Sequence, residues 1–345
     1  MRGEIVRGVP SIQHPAPSTH RASAPVRLDF AGGWTDVAPF AAREHGTVVN
    51  AAIELRAEAE FRPGGTGFLL TSEDLGDTQS LDGPDALGNT GRLDLLKAAL
   101  RRSGVGAGEL RTRSSAPPGS GLGSSGALDV ALVAALDAAR GIRRQNAALA
   151  EEAFLLESVD AGLPGGKQDQ YAAAFGGFHR FDFENGQVAI RRLTLDPVFQ
   201  QELARRIVIC YTGVSRVSSR AIERVAQAYE RGDSQVVGAL RGLAAVAVRM
   251  ADAFLSGDLD QVGRLLGENW TLQQKLDPAM KTPEMADLES AMTTAGALGG
   301  KAAGAGAGGS MFFLVEDPVK AGVAAVDAGA RVLPTIWAGE GVKVW

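Results

Sequence analysis

What most limits the folds open to this chain is a ten-residue loop, Ala116-Pro-Pro-Gly-Ser-Gly-Leu-Gly-Ser-Ser125, with glycine at 119, 121 and 123 and a fourth, Gly126, directly after it. It lies between a predicted strand and a predicted helix. A backbone so rich in glycine can adopt positive φ and approach a ligand closely. Downstream, Leu128, Leu132 and Leu136 recur every fourth residue, so 125–139 reads as a largely buried helix. The free N–H groups and positive dipole end of that helix, with the hydroxyls of Ser124 and Ser125, make an anion site suited to the phosphates of a nucleotide. The competing reading is a flexible turn with serine caps.

Two segments match G-x-G-x-x-G, Gly121–Gly126 and Gly304–Gly309. A dinucleotide fingerprint should open the first βαβ unit and lead into a helix. The first match comes far down the chain and the second precedes a strand, so a nicotinamide enzyme is a distant alternative. No Gly-Lys-Ser/Thr ending is present, so the loop is not a Walker loop.

Composition narrows the class further. Hydrophobic residues at 45% leave room for two cores in 345 residues. A net charge of −5 argues against a basic surface for nucleic acid. The single cysteine, Cys210, permits no internal disulfide and fits a reducing cytoplasm. His14, His20, His45 and His179 do not sit at zinc-ligand spacing. No apolar run approaches the roughly 20 residues of a membrane helix. The N-terminus lacks the apolar stretch of a signal peptide.

Along the chain, residues 1–23 read as an N-terminal arm, with order beginning near Ala24. Strands are expected around 26–31, 47–62 and 67–72, and helices at 93–103 and 145–160. Gly162-Leu-Pro-Gly-Gly166 should end the second of these, and 172–182 reads as a turn into a strand. A composition shift near 195–205 divides the chain into domains at 24–198 and 199–345. The second domain should open with strand Ile207–Tyr211, continue through helices near 217–231, 235–255, 258–276 and 284–297, and carry a strand at Met311–Val315.

Three motifs come together at this point. Ala24-Pro-Val-Arg-Leu-Asp-Phe-Ala-Gly-Gly-Trp-Thr-Asp36 resembles the first motif of the GHMP kinases. Pro118-Gly-Ser-Gly-Leu-Gly-Ser-Ser-Gly-Ala127 resembles their second, phosphate-binding motif, and Gly304-Ala-Gly-Ala-Gly-Gly309 their third. The motifs occur in the family's order. Gly165-Gly-Lys-Gln-Asp-Gln-Tyr-Ala-Ala-Ala-Phe-Gly-Gly177, Tyr211-Thr-Gly-Val-Ser-Arg216 and Gly296-Ala-Leu-Gly-Gly-Lys301 are similar to heptose 7-phosphate 1-kinases. L-fucokinases share a Gly-Gly-Trp-Thr-Asp type of first motif. The sequence departs from the common pattern at Gly126, at Ser310 and over Trp270–Met285.

The resemblance implies a two-domain α/β (α+β) fold with the active site in the inter-domain cleft, and transfer of phosphate from ATP, with Mg2+, to a sugar hydroxyl. Such a reaction needs a phosphate cradle, a cation and a group that orients or deprotonates the attacking hydroxyl. The resemblance places the cradle at Pro118, Gly119, Ser120, Gly121, Leu122, Gly123, Ser124 and Ser125. It places the metal at Ser125 and Glu157, the base at Asp169, and a basic partner at Arg27. Asp36, with Gly33, Trp34, Thr35, Gln168, Gly306 and Arg216, would contact the small-molecule substrate.

The residues taken singly leave alternatives open. Glu157 could be a surface glutamate and Asp169 a turn residue. Trp34 could stack on a sugar or pack in the core. Lys167, Arg216 and Lys301 could meet a phosphate or be solvated. Glu151 and Glu152 read as solvated. A catalytically silent member of the family that senses sugar or nucleotide is the alternative from another class, and the presence of Arg27, Ser125, Glu157 and Asp169 together argues against it.

Overall fold

The computed structural model describes residues 18–88, 91, 93–214 and 219–345. In chain order its elements are β1 (His20–Ala31), α1 (Phe40–Arg43), β2 (Gly46–Pro63), β3 (Phe68–Ser72), β4 (Asp77–Leu81), α2 (Asp94–Ser103), β5 (Gly108–Ser114) and α3 (Ser124–Ala139). There follow α4 (Asn146–Leu155), α5 (Gln168–Phe175), β6 (Phe178–Glu184), β7 (Gln187–Arg192), α6 (Pro197–Arg206) and β8 (Ile207–Tyr211). The remainder comprises α7 (Ser219–Glu230), α8 (Ser234–Ser256), α9 (Leu259–Gln273), α10 (Pro283–Thr294), β9 (Ala297–Ala302), β10 (Ser310–Val315), α11 (Pro318–Asp327), β11 (Arg331–Leu333) and β12 (Lys343–Val344).

These elements form an eight-stranded sheet and a four-stranded sheet. The larger runs β12-β1-β2-β5-β3-β4, and β6, carrying β7, also pairs with β2. One strand can serve two neighbours because β2 is 18 residues long: Gly46–Ala51 pair with β6 and Ala57–Pro63 with β5. The smaller sheet runs β11-β8-β10-β9, antiparallel throughout. Successive strand residues point to opposite faces. The unbroken burial of Ala22–Ala31 therefore means that both faces of β1 are covered, and α3, α5 and α8 all pack against this strand. That is why β1 reads as a largely apolar run from Ala24, interrupted by Arg27 and Asp29.

Several boundaries differ from those expected. The chain enters β1 at His20, ahead of Ala24, because Ala22 and Ser23 pair with Val344 and Lys343 of β12 at the far end of the sequence. Residues 1–17 of the expected arm, and Val217 and Ser218 at the expected start of the 217–231 helix, lie outside the described residues. The expected helix at 145–160 is α4 followed by one π-helical turn, Leu156–Asp160, which carries Glu157. The expected turn at 172 is still helical. Tyr171 and the three alanines after it sustain α5 until Gly176 and Gly177, both at φ 65, release the chain into β6. The expected boundary between 198 and 199 falls within α6, so the division of the chain into domains there is a proposal rather than a visible break.

Candidate active site

The glycine loop takes its shape from alternation. Gly119, Gly121 and Gly123 have φ of 66, 74 and 78, a region that disfavours side-chain-bearing residues, while Ser120 and Leu122 between them are buried. The chain thus reverses repeatedly before Gly123 opens α3. The third motif packs directly on it. A Cβ at Gly304 would lie 2.5 Å from the Gly121 carbonyl oxygen, and one at Gly309 2.9 Å from that of Ser120. The backbone N–H of Ser310 donates to the Ser120 carbonyl at 2.8 Å. Glycine is required at 304 because two backbones touch there.

Arg27 ties the motifs together. From β1, its Nε donates to Asp169 Oδ1 at 2.8 Å, and Nη2 lies 2.7 Å from the same oxygen. Its Nη1 donates to the carbonyls of Gly121 (2.8 Å) and Ala303 (2.9 Å). One buried guanidinium therefore joins the first motif, the phosphate loop, the approach to the third glycine run and the first turn of α5. Gly126 makes room for this: a Cβ there would fall 2.5 Å from the Asp169 Cβ.

These groups face one cavity of about 350 Å3. Of the expected residues, Arg27, Gly33, Trp34, Asp36, Gly119, Ser120, Gly121, Gly123, Ser124, Ser125, Glu157, Gln168 and Asp169 line it. Gly304, Ala305 and Ile222 bring the C-terminal half of the chain to the same space.

The rest of the expected set lies elsewhere. Leu122 supports the loop from behind, its carbonyl accepting from the Arg27 backbone N–H at 2.9 Å, whereas Pro118 is exposed and lies outside the cavity wall. Thr35 is wholly buried, and its hydroxyl donates toward the Gly32 and Thr47 carbonyls and accepts from the Thr47 N–H. It closes the first-motif turn and is not in the cavity wall. Gly306 faces Met280 and Gln273. Arg216 lies outside the described residues.

Two lysines and two glutamates turn out otherwise than expected. Lys301 is fully buried and donates to the Asp29 backbone oxygen (2.6 Å) and to its Oδ2 (2.8 Å). Lys167 is spent on both oxygens of Glu151 at 2.8 Å. Glu151 also accepts from the Tyr171 hydroxyl, and Glu152 pairs with Arg102, so neither glutamate is merely solvated. Asp29 was not singled out in the sequence, although it lines the cavity and is 2% exposed. The available signal was a carboxylate inside an apolar run, two residues from Arg27 and so on the same strand face.

The carboxylates differ in surroundings. Asp36 Oδ2 accepts from the Gln168 backbone N–H (3.1 Å) and Oδ1 from its Nε2 (3.3 Å). Burial pushes the Asp36 carboxyl up to about 7; the Gln168 N–H opposes the shift, and the charges of Asp169 and Asp29 add to it. Glu157 accepts from Ser125 Oγ and from Gln170 Nε2, each at 2.7 Å. Its pKa is raised by burial and by the charge of Asp169, against the two hydrogen bonds. Among the described residues no group of three or more His, Cys, Asp or Glu is arranged to hold a metal. The Ser125–Glu157 pair nonetheless fits Mg2+, which usually takes one or two carboxylates and completes its shell with substrate phosphates and water.

Trp34 packs in the core and also reaches the site. It is 6% exposed in a cluster with Phe40, Leu240 and Met280, and it also lines the cavity. Its φ of 80 is unusual for a residue with a side chain and marks a tight turn at the site.

Comparison with known proteins matches this arrangement to one family. Residues 93–177 match the GHMP kinases N terminal domain and residues 250–331 the GHMP kinases C terminal domain. The chain is 31% identical over 310 residues to the D-glycero-alpha-D-manno-heptose 7-phosphate kinase of Campylobacter jejuni, covering 88% of this chain and 91% of that protein. It superposes on a D-glycero-D-manno-heptose 1-phosphate kinase from Bacteroides thetaiotaomicron with a TM-score of 0.79 and 27% identity, over 94% of this chain and 98% of the other. It is 28% identical over 330 residues to the L-fucokinase/L-fucose-1-P guanylyltransferase of Bacteroides fragilis, covering 86% of this chain but only 34% of that longer protein. The chain belongs to the GHMP kinases, and its activity is that of a phosphotransferase with an alcohol acceptor. Among the described residues no helix is long and apolar enough to cross a membrane.

Proposed function

We propose that the protein is a cytoplasmic sugar kinase that transfers the γ-phosphoryl group of ATP to the anomeric hydroxyl of a heptose or heptose 7-phosphate. The observation that carries this is the Arg27 guanidinium, which binds Asp169 and the Gly121 and Ala303 carbonyls at one cavity. The loop 119–125 and the start of α3 present backbone N–H groups to the phosphates. Asp169 accepts the proton of the attacking hydroxyl, or orients it, as the new O–P bond forms and the bond to ADP breaks. Arg27 holds the Asp169 carboxylate in place through two contacts to one oxygen and can offset charge on the transferring group. Ser125 and Glu157 would hold Mg2+, whose chemistry is to neutralise phosphate charge. The heptose assignment is supported by the similarity to the two heptose phosphate kinases. An L-fucokinase-like activity is the second reading, favoured by the fucokinase relative and by Gly33-Trp34 in the first motif.

The test is release of ADP, coupled to a spectroscopic readout, with D-glycero-D-manno-heptose, its 7-phosphate, L-fucose and D-galactose as acceptors. Turnover on a heptose, with the product phosphorylated at the anomeric carbon, is the expected result. Comparable rates with free and 7-phosphorylated heptose would remove the need for a distal phosphate. Turnover on L-fucose alone would establish the second reading, and failure with every sugar would overturn both.

A further inference from the structure

Of the cavity carboxylates, Asp169 and Glu157 act in the mechanism above and Asp36 is an expected substrate contact, which leaves Asp29 without a role. Asp29 is two residues from Arg27 on β1, so both side chains leave the same face of the strand. Its Oδ2 is held by Lys301, and the Lys301 ammonium is held in turn by the Asp29 backbone oxygen, so the carboxylate is fixed from behind. Gly33 covers it in front: a Cβ there would stand 2.1 Å from Oδ2, and only glycine lets the chain lie so close. The other oxygen, Oδ1, is buried with no hydrogen-bond partner. Buried acceptors in native proteins are nearly always satisfied, by the protein, by water or by a ligand.

Two more buried atoms in the same cavity wall share this condition, Trp34 Nε1 and Gln168 Oε1. One is a donor and the other, like Asp29 Oδ1, an acceptor. A sugar hydroxyl both donates and accepts, so a polyhydroxyl ring can satisfy all three atoms, whereas an apolar alcohol leaves them unpaired.

We propose that Asp29 is a further sugar-binding residue, whose Oδ1 accepts a hydrogen bond from a ring hydroxyl other than the one phosphorylated, with Trp34 and Gln168 completing the wall. Lys301 is then a positioning residue that aims Asp29. The proposal rests on the sugar-kinase reading and deepens it: the acceptor is recognised as a polyol along the edge facing β1.

The test is calorimetric binding of D-glycero-D-manno-heptose 7-phosphate, L-fucose and D-galactose, and then of the monodeoxy analogues of whichever binds. Asp29→Asn should weaken binding of that sugar about tenfold or more, while the affinity for a non-hydrolysable ATP analogue is kept. One monodeoxy analogue should bind the wild type poorly yet bind Asp29→Asn no worse than the parent sugar does, a coupling that a merely structural role would not produce. If Asp29→Asn fails to fold because Lys301 is left unpaired, the double variant Asp29→Asn/Lys301→Gln removes both buried charges together and must show the same coupling. A folded variant that binds sugar as the wild type does, or that is penalised equally by every deoxy analogue, overturns the proposal alone. No binding of any of the three sugars to the wild type overturns it together with the sugar-kinase reading.

Discussion

Replacing Asp169 with asparagine removes a charge and a base while keeping size and one acceptor oxygen. In the structure that oxygen receives two guanidinium contacts from Arg27, at 2.7 and 2.8 Å, from a side chain only 5% exposed. Asparagine can still accept, so Arg27 keeps a partner, and what is lost is the charge assistance. Hydrogen bonds to charged groups are worth about 1.5–3 kcal/mol and neutral ones about 1 kcal/mol, so Asp169→Asn should cost about 1–2 kcal/mol of stability. The 27% exposure of the Asp169 side chain places the cost toward the lower end. Turnover should respond far more. General-base assistance contributes about 100- to 10,000-fold, and an amide cannot take the proton. Coupled ADP release should therefore fall at least about 100-fold, while thermal unfolding shows the variant folded and still stabilised by a non-hydrolysable ATP analogue. A folded variant that keeps most of its turnover would refute the reasoning: Asp169 would then be a partner for Arg27 and nothing more.

Two other perturbations follow from the same geometry. Ser125→Ala and Glu157→Gln should raise the Mg2+ concentration needed for half-maximal turnover about tenfold or more, with sugar binding little changed; the opposite pattern would move the cation elsewhere. Asp36 should give stability a pH signature. Its carboxyl is raised in the folded state, so folding favours the protonated form. That contribution is fully present below about pH 3.8 and is lost as pH rises to about 7. At about 1.4 kcal/mol per pKa unit the loss totals about 4 kcal/mol. In urea unfolding across this range the wild type should lose stability relative to Asp36→Asn as pH rises; parallel curves would show that Asp36 is not held in the protonated form.

What could be read from the sequence and what could not divide along a physical line. The glycine loop, α3 and the strand containing Arg27 are local patterns, because φ preference, helix periodicity and strand hydrophobicity act over a few residues. The meeting of the three motifs was readable from their order, and Arg27 shows the physical link. Side-chain partnership is different, because a cation's role depends on which carboxylate the fold delivers to it. Lys301 lies 272 positions from Asp29 in sequence, and no local pattern says that its ammonium is buried there instead of meeting a phosphate. Lys167 and Glu151 are separated by less, but only the packing of α4 on α5 brings them together. Thr35 fails as a ligand for a related reason: the turn needs its hydroxyl to satisfy backbone groups of Gly32 and Thr47, and a buried N–H or C=O left unpaired costs more than a lost surface contact. The same reasoning exposes Asp29. Once every local and long-range partner has been assigned, the Oδ1 of this cavity-lining residue remains a buried acceptor with nothing in the described protein to bind it.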